Sequence, residues 1–317
     1  MVFDLEGGMS DYHKLVRLHG RDMARTLVKI EERRFVDLAA EVLADHRSEA
    51  GYTYSGFCMT SLPHRSIPDE QEWRRPGERF TLVIEPGALY DAEGNRSQLL
   101  GVPYGPKARL ILLYLQSEAI RTGSQEVELG RSMNAWLDRM GISSGGTTYK
   151  AFREQATRLS TCRLVFVKPH DRDPRKTVNR RDQLVDGTIA LQEGDSRQSS
   201  VWVETVRLSD TFWSELRKEP VVIWDGAVRV LAEKSHALDI YCWLAHRLHT
   251  LESPVGVDWK SLHAQFGASY KNLRQFKPRF IDSLNEALAT YEDAKVVLED
   301  RGLVLHPSRP PLRITAG

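Results

Sequence analysis

Two stretches of this chain lay down the same succession of amphipathic segments, and that duplication limits the fold more than any single motif does. The first opens at Pro106, a residue favoured in a helix's first turn, and places Ala108, Ile111, Leu112, Leu115 and Ala119 at helical spacing as far as Arg121. A short strand over 127–129 follows. Ser132 then caps a second helix through Met140, Gly141 stops it, a third helix runs over 147–160, and 163–168 reads as a strand. The second stretch repeats this order. A helix over 232–250 turns Leu238, Tyr241, Ala245 and Leu248 inward, and 255–257 is a short strand. A helix over 258–266 stops at Gly267, Ser269 caps a long third helix, and 295–298 with 303–305 forms a hairpin around Gly302. First and second helices begin 26 residues apart in both stretches, at 106 and 132 and at 232 and 258.

Helix, short strand, helix, tight turn, helix and hairpin is the order of a winged helix, a helix-turn-helix variant whose third helix fits a major groove about 12 Å wide. The expected fold class is α+β, with tandem winged-helix domains and an N-terminal helical extension. Residues 1–50 form that extension. Leu15, Leu18, Leu27, Ile30, Val36, Leu38, Val42 and Leu43 lie there among charged residues without a proline over 11–46, and Gly51 ends the helices. The first domain is expected over 51–225, with a strand over 80–84, a turn at Pro86-Gly87 and a polar, basic wing insertion at about 168–200. A strand over 201–206 leads to a helix around 212–216. The second domain is expected over 226–317.

A chain of 317 residues with 41% apolar and 27% charged residues is long enough for two ordinary folded domains and excludes wholesale disorder. Its longest strongly apolar run, 110–115, is far short of the roughly 20 residues that span a bilayer. No basic segment followed by an apolar one marks the N-terminus as a secretory signal, so a cytoplasmic location is expected. Cys58, Cys162 and Cys242 are odd in number and far apart, which suits unpaired thiols in a reducing compartment.

The net charge of +1 conceals a strong local imbalance. From Lys150 to Arg181 ten basic residues face three acidic ones, a net of +7, and Lys271, Arg274, Lys277 and Arg279 add four positive charges with no acid among them. Both clusters fall on elements expected to enter or flank a groove. At 100° per residue Leu273, Phe276, Phe280 and Leu284 share the core-facing stripe of the last third helix. The opposite face then presents Lys271, Arg274, Gln275, Arg279 and Asp282, flanked by Asn272 and Lys277. Guanidinium and amide groups make paired hydrogen bonds to guanine and adenine edges. Pro278 in the helix interior removes a backbone donor and bends the axis. In the first stretch Phe152, Ala156 and Leu159 face inward and leave Lys150, Arg153, Thr157 and Arg158 outward, while Arg175, Lys176, Arg180 and Arg181 charge the wing. Backbone N–H groups at Gly145-Gly146-Thr147 can meet a phosphate. A solvated basic helix face is the plainer reading of either cluster alone; their coincidence with two third helices favours double-stranded DNA.

Catalytic motifs fit poorly. The run from Gly141 to Gly145 matches G-x-S-x-G, but a helix, not a strand, precedes it. Cys242, His246 and His249 can share a helix face, with His236 and His263 in range, so a zinc-dependent enzyme is one alternative. There is no P-loop signature, and the tryptophans, Trp136, Trp213, Trp243 and Trp259 among them, read as core packing.

Three blocks, YSGFCMTSLPHRSIPDEQEWRR, GVPYGPKARLILLYLQSEAIRT and LGRSMNAWLDRMGISSGG with REQATRLSTCRLVF, resemble the plasmid-encoded RepA replication initiator family over about residues 51–300. FKPRFIDSLNEAL resembles the third helix of that family's C-terminal winged helix, although Pro278 departs from the pattern. The resemblance implies origin binding at repeated sites, copy-number control through monomer and dimer forms, recruitment of host replication initiation and helicase-loading proteins, and no catalysis or cofactor. It carries DNA contact onto Lys271, Arg274, Lys277 and Arg279. A winged-helix transcription regulator is the other alternative.

Overall fold

The computed structural model describes residues 11–45, 49–77, 81–170, 173–186, 191–192, 201–202 and 204–312, with backbone alone for 168–170, 173–182, 191–192 and 201–202. The chain divides into two compact units, Met1–Gly51 with Val221–Gly317, and Tyr52–Pro220.

The N-terminal part of the first unit is a pair of helices, α1 (Tyr12–Thr26) and α2 (Arg33–Ala44). Asp11 caps α1 by accepting the Lys14 N–H at 3.0 Å, and Gly20, at φ +72°, breaks the helix into two segments. Tyr12, Ala24, Phe35, Val36, Leu38 and Ala39 bury the contact between them. Gly51 does not end these helices. The chain leaves α2 at Asp45, whose extended backbone stops it, and Gly51 lies inside strand β1 (Ala50–Tyr54).

The second unit begins with α3 (Ser55–Met59) and the strands β2 (Trp73–Pro76), β3 (Thr81–Glu85), β4 (Ala88–Tyr90) and β5 (Arg96–Leu99). Phe80, expected to open β3, lies outside the described residues. Then come α4 (Gly105–Thr122), β6 (Glu126–Glu128), α5 (Met133–Arg139) and α6 (Gly146–Thr161). Pro106 sits in the first turn of α4, Ser132 caps α5, and Gly123 and Gly141 take positive φ beyond the two helix ends. Apolar residues all round α4 make it the buried axis of the unit. The chain continues through β7 (Arg163–His170), β8 (Asp173–Asp182), β9 (Val185–Asp186), β10 (Leu191–Gln192), β11 (Val201–Trp202), β12 (Thr205–Leu208) and α7 (Asp210–Lys218).

Strand pairing separates this unit from a simple copy of the other. The hairpin β7–β8 joins a four-stranded sheet in the order β2-β3-β7-β8, whereas β6 pairs with β12 in a sheet ordered β6-β12-β9. The basic segment expected as an exposed insertion is thus in large part β8, an edge strand registered against β7 with Arg181 opposite Val165 and Arg180 opposite Phe166.

Strand β13 (Pro220–Trp224) returns the chain to the first unit, followed by α8 (Asp225–Val230), α9 (Ser235–Leu248), β14 (Val255–Asp258), α10 (Trp259–Phe266), α11 (Leu273–Leu288), β15 (Val296–Glu299) and β16 (Gly302–Leu305). Here the short strand does meet the hairpin, in the order β14-β16-β15. Gly302 makes that sheet close. It has φ +156°, and a Cβ there would lie 2.0 Å from the Val257 carbonyl oxygen. Among the described residues no helix is long and apolar enough to cross a membrane.

Candidate nucleic-acid interface

Helix α11 starts later than Ser269. Asn272 Oδ1 accepts the Gln275 N–H at 3.0 Å, the hydrogen bond of an N-cap, so Lys271 and Asn272 precede the helix and Leu273 is its first residue. Leu273 therefore lies 36% exposed and does not join the core stripe, which consists of the buried Phe276, Phe280 and Leu284. Pro278 is inside the helix and has no N–H to offer the Arg274 carbonyl.

The outward face of α11 is divided in two. Around its first turns Lys271, Asn272, Arg274, Gln275 and Arg279 are exposed, and among the described residues Lys271, Arg274 and Arg279 have no acidic partner. Lys277 is half-buried, with its Nζ 4.8 Å from the centre of the Trp259 ring. Farther along, Asp282 is ion-paired with Arg34 of α2, whose other guanidinium nitrogen lies 3.9 Å from Glu286. Glu286 also binds Lys234 Nζ at 2.6 Å, and Arg17 of α1 binds Glu292 at 2.8 Å. The N-terminal helices thus occupy the acidic, C-terminal part of this face and leave its basic start open.

Beside α11 a groove of about 750 Å³ is lined by Trp259, Lys277, Ile281, Leu298, Glu299, Asp300 and Arg301. The Trp259 indole N–H donates to the Asp300 carbonyl at 3.0 Å and so fixes the hairpin tip to α10. With two acids and one base at Glu299, Asp300 and Arg301, this tip is not a basic wing.

In the other unit, Phe152, Ala156 and Leu159 bury the inner face of α6. Lys150 is exposed, without an acidic partner among the described residues, and Arg153 is half-buried. Arg158, expected outward, is instead only 12% exposed. Its Nε lies 3.1 Å from Glu154, its Nη1 lies 3.1 Å from Asp69, and its guanidinium is 5.3 Å from the Tyr104 ring centre. Two carboxylates and a ring draw it onto the preceding loop. The Tyr104 hydroxyl donates to Glu154 at 3.2 Å, and burial together with that carboxylate raises the phenol's pKa above its ordinary value. Arg175, Lys176, Arg180 and Arg181 fall on the backbone of β8.

The alternative metal cluster does not assemble. Cys242 is buried in the core, and a ring nitrogen of His249 lies 2.6 Å from the Ala245 carbonyl of its own helix. Among the described residues no group of three metal-ligating side chains comes together. Burial pushes the Cys162 thiol up to about 12.

The family model for the plasmid-encoded RepA protein matches residues 102–260, just over half of the chain. The chain belongs to that family. This RepA-family chain therefore falls among plasmid replication initiators, as the sequence blocks around α4, α5 and α6 lead one to expect. No curated protein sequence matches it. Its fold is similar to the crystal structure of a selenomethionine derivative of domains 2 and 3 of RctB, with a TM-score of 0.50 and 12% identity, covering 82% of this chain and 99% of that one. A second crystal structure of RctB domains 2–3 matches with a TM-score of 0.47 and 14% identity over 78% of this chain and 93% of that one.

Proposed function

We propose that this RepA-family chain starts plasmid replication by occupying repeated double-stranded sites at the origin, with each basic third helix set in a major groove. In this reading the chain is a pair of winged-helix domains, 51–225 and 226–317, with the N-terminal helices as an extension that buttresses α11. The observation that carries it is the open start of α11, where Lys271, Arg274, Gln275 and Arg279 stand exposed with no acid among them. Arg274, Arg279 and Gln275 reach base edges, and Lys271 and Lys277 hold the backbone, because paired donors discriminate bases while point charges position the duplex. Asn272 is occupied in its own cap, so its amide contributes less.

Lys150, Arg153 and the strand bearing Arg175, Lys176, Arg180 and Arg181 contact phosphates in the first domain. Arg158 supports α6 from behind. Binding neutralises phosphates and releases counterions, so affinity falls steeply with salt. The reading requires no catalytic group. Bending of the duplex, self-association and recruitment of host helicase-loading proteins in the cytoplasm complete the scheme. Footprinting the purified protein on its plasmid's origin tests it: protection of direct repeats supports initiation, and protection confined to a promoter supports a transcription regulator instead.

A further inference from the structure

The segment between α3 and β2 belongs to none of the elements above, yet it is tied down more tightly than a surface loop needs to be. From Thr60 to Pro68 it contains no acidic residue. Its backbone oxygens are captured one after another. The Trp73 indole N–H donates to the Ser61 carbonyl at 2.7 Å, Arg109 Nη2 to Leu62 at 2.7 Å, and Arg109 Nη1 to Pro63 at 3.1 Å and to Gly105 at 2.9 Å. Gly105 N–H also donates to Pro63 at 2.9 Å. Arg109 is only 5% exposed, and burying a guanidinium costs free energy that a mobile loop does not repay.

The far end is fixed as well, because Asp69 is paired with Arg158 of α6. Between these anchors the chain surfaces at Arg65 and Ser66. The Ser66 hydroxyl meets the Tyr104 phenol, which donates to Glu154, one turn beyond Lys150 on α6. Arg65 is exposed without an acidic partner among the described residues, and the nearest acid along the chain, Asp69, is already neutralised.

We infer that residues 60–69 form a fixed strap that carries Arg65 beside the outward face of α6 and sets its guanidinium on a DNA backbone phosphate. This rests on the DNA-binding reading above. A held cation adds a contact without the ordering cost of a free loop.

The test measures affinity of the full chain for a fluorescein-labelled random-sequence duplex across a salt series, for wild type, Arg65→Ala, Arg65→Lys and Lys271→Ala. Loss of one phosphate contact flattens the slope of log affinity against log salt by about 0.9. Arg65→Ala should therefore lose about 3-fold more affinity at about 50 mM than at about 200 mM salt, and Arg65→Lys should keep the wild-type slope. A wild-type slope in Arg65→Ala alongside a flattened one in Lys271→Ala overturns the strap and leaves the DNA reading standing. No binding by wild type overturns both.

Discussion

Lys277 holds its ammonium nitrogen 4.8 Å from the centre of the Trp259 ring, tying α11 to the start of α10. The same indole donates to the Asp300 carbonyl, so one aromatic side chain fixes both the third helix and the hairpin tip. The contact divides Lys277 between structure and binding, unlike Arg274 and Arg279. Lys277→Ala should lose about 0.5–1 kcal/mol of stability in urea titration, the usual worth of such a stack. It should weaken duplex binding less than Arg274→Ala; an equal or larger binding loss would show that the ammonium leaves the ring for the DNA.

Pro278 deprives the Arg274 carbonyl of its helical donor. Alanine there restores the N–H and removes the ring's steric conflict with the preceding turn. Pro278→Ala should raise stability by about 1–3 kcal/mol, read as a higher urea midpoint. An unchanged midpoint would mean that the helix is already relaxed around the proline.

His13 is buried in the first turn of α1, with Nε2 lacking a hydrogen-bond partner and the ring bonded to the Ala289 backbone. Burial lowers its pKa below 6.5, opposed by Glu292 and Asp11 and aided by Arg17. The unfolded chain therefore takes up a proton that the folded one resists. Stability is full above pH 6.5 and declines as pH falls from there toward the lower folded value. His13→Leu should flatten that decline in urea midpoints measured above and below pH 6.5, and a decline of the same steepness would place its source elsewhere.

Gly101 leaves room for the pair that anchors the strap. A Cβ at this position would lie 2.3 Å from both Arg158 Nη1 and Asp69 Oδ1. Gly101→Ala should separate that pair and speed amide exchange over residues 64–69, detectable by mass spectrometry, with little change in the protected core of α4. Unaltered exchange would show that Asp69 is not what holds the strap.

Much of the helical framework was legible in the sequence because local signals and burial agree there. Pro106 opens α4, Ser132 caps α5, α10 ends at Gly267 as expected, and Phe276, Phe280 and Leu284 mark the inner face of α11 at helical spacing. The start of α11 was misplaced: Ser269 was expected to cap it, and the hydrogen bond from the Gln275 N–H to Asn272 Oδ1 puts the cap three residues later. Long-range partners were invisible for a different reason. Nothing near β6 announces β12, and nothing near Arg158 announces Asp69, because both depend on chain segments far apart in sequence. Arg65 was missed because an irregular strap has no period, and the residue that fixes it, Arg109, reads on α4 as one more helical position.

The central claim is that the open start of α11 reads the plasmid's origin. Gel retardation of an origin fragment by wild type and by the double variant Arg274→Ala with Arg279→Ala tests it most directly. Each lost base contact costs about 1–3 kcal/mol, so the double variant should lose specific retardation while keeping weak, salt-sensitive binding to any duplex. Retardation of the origin fragment with wild-type affinity would contradict the account.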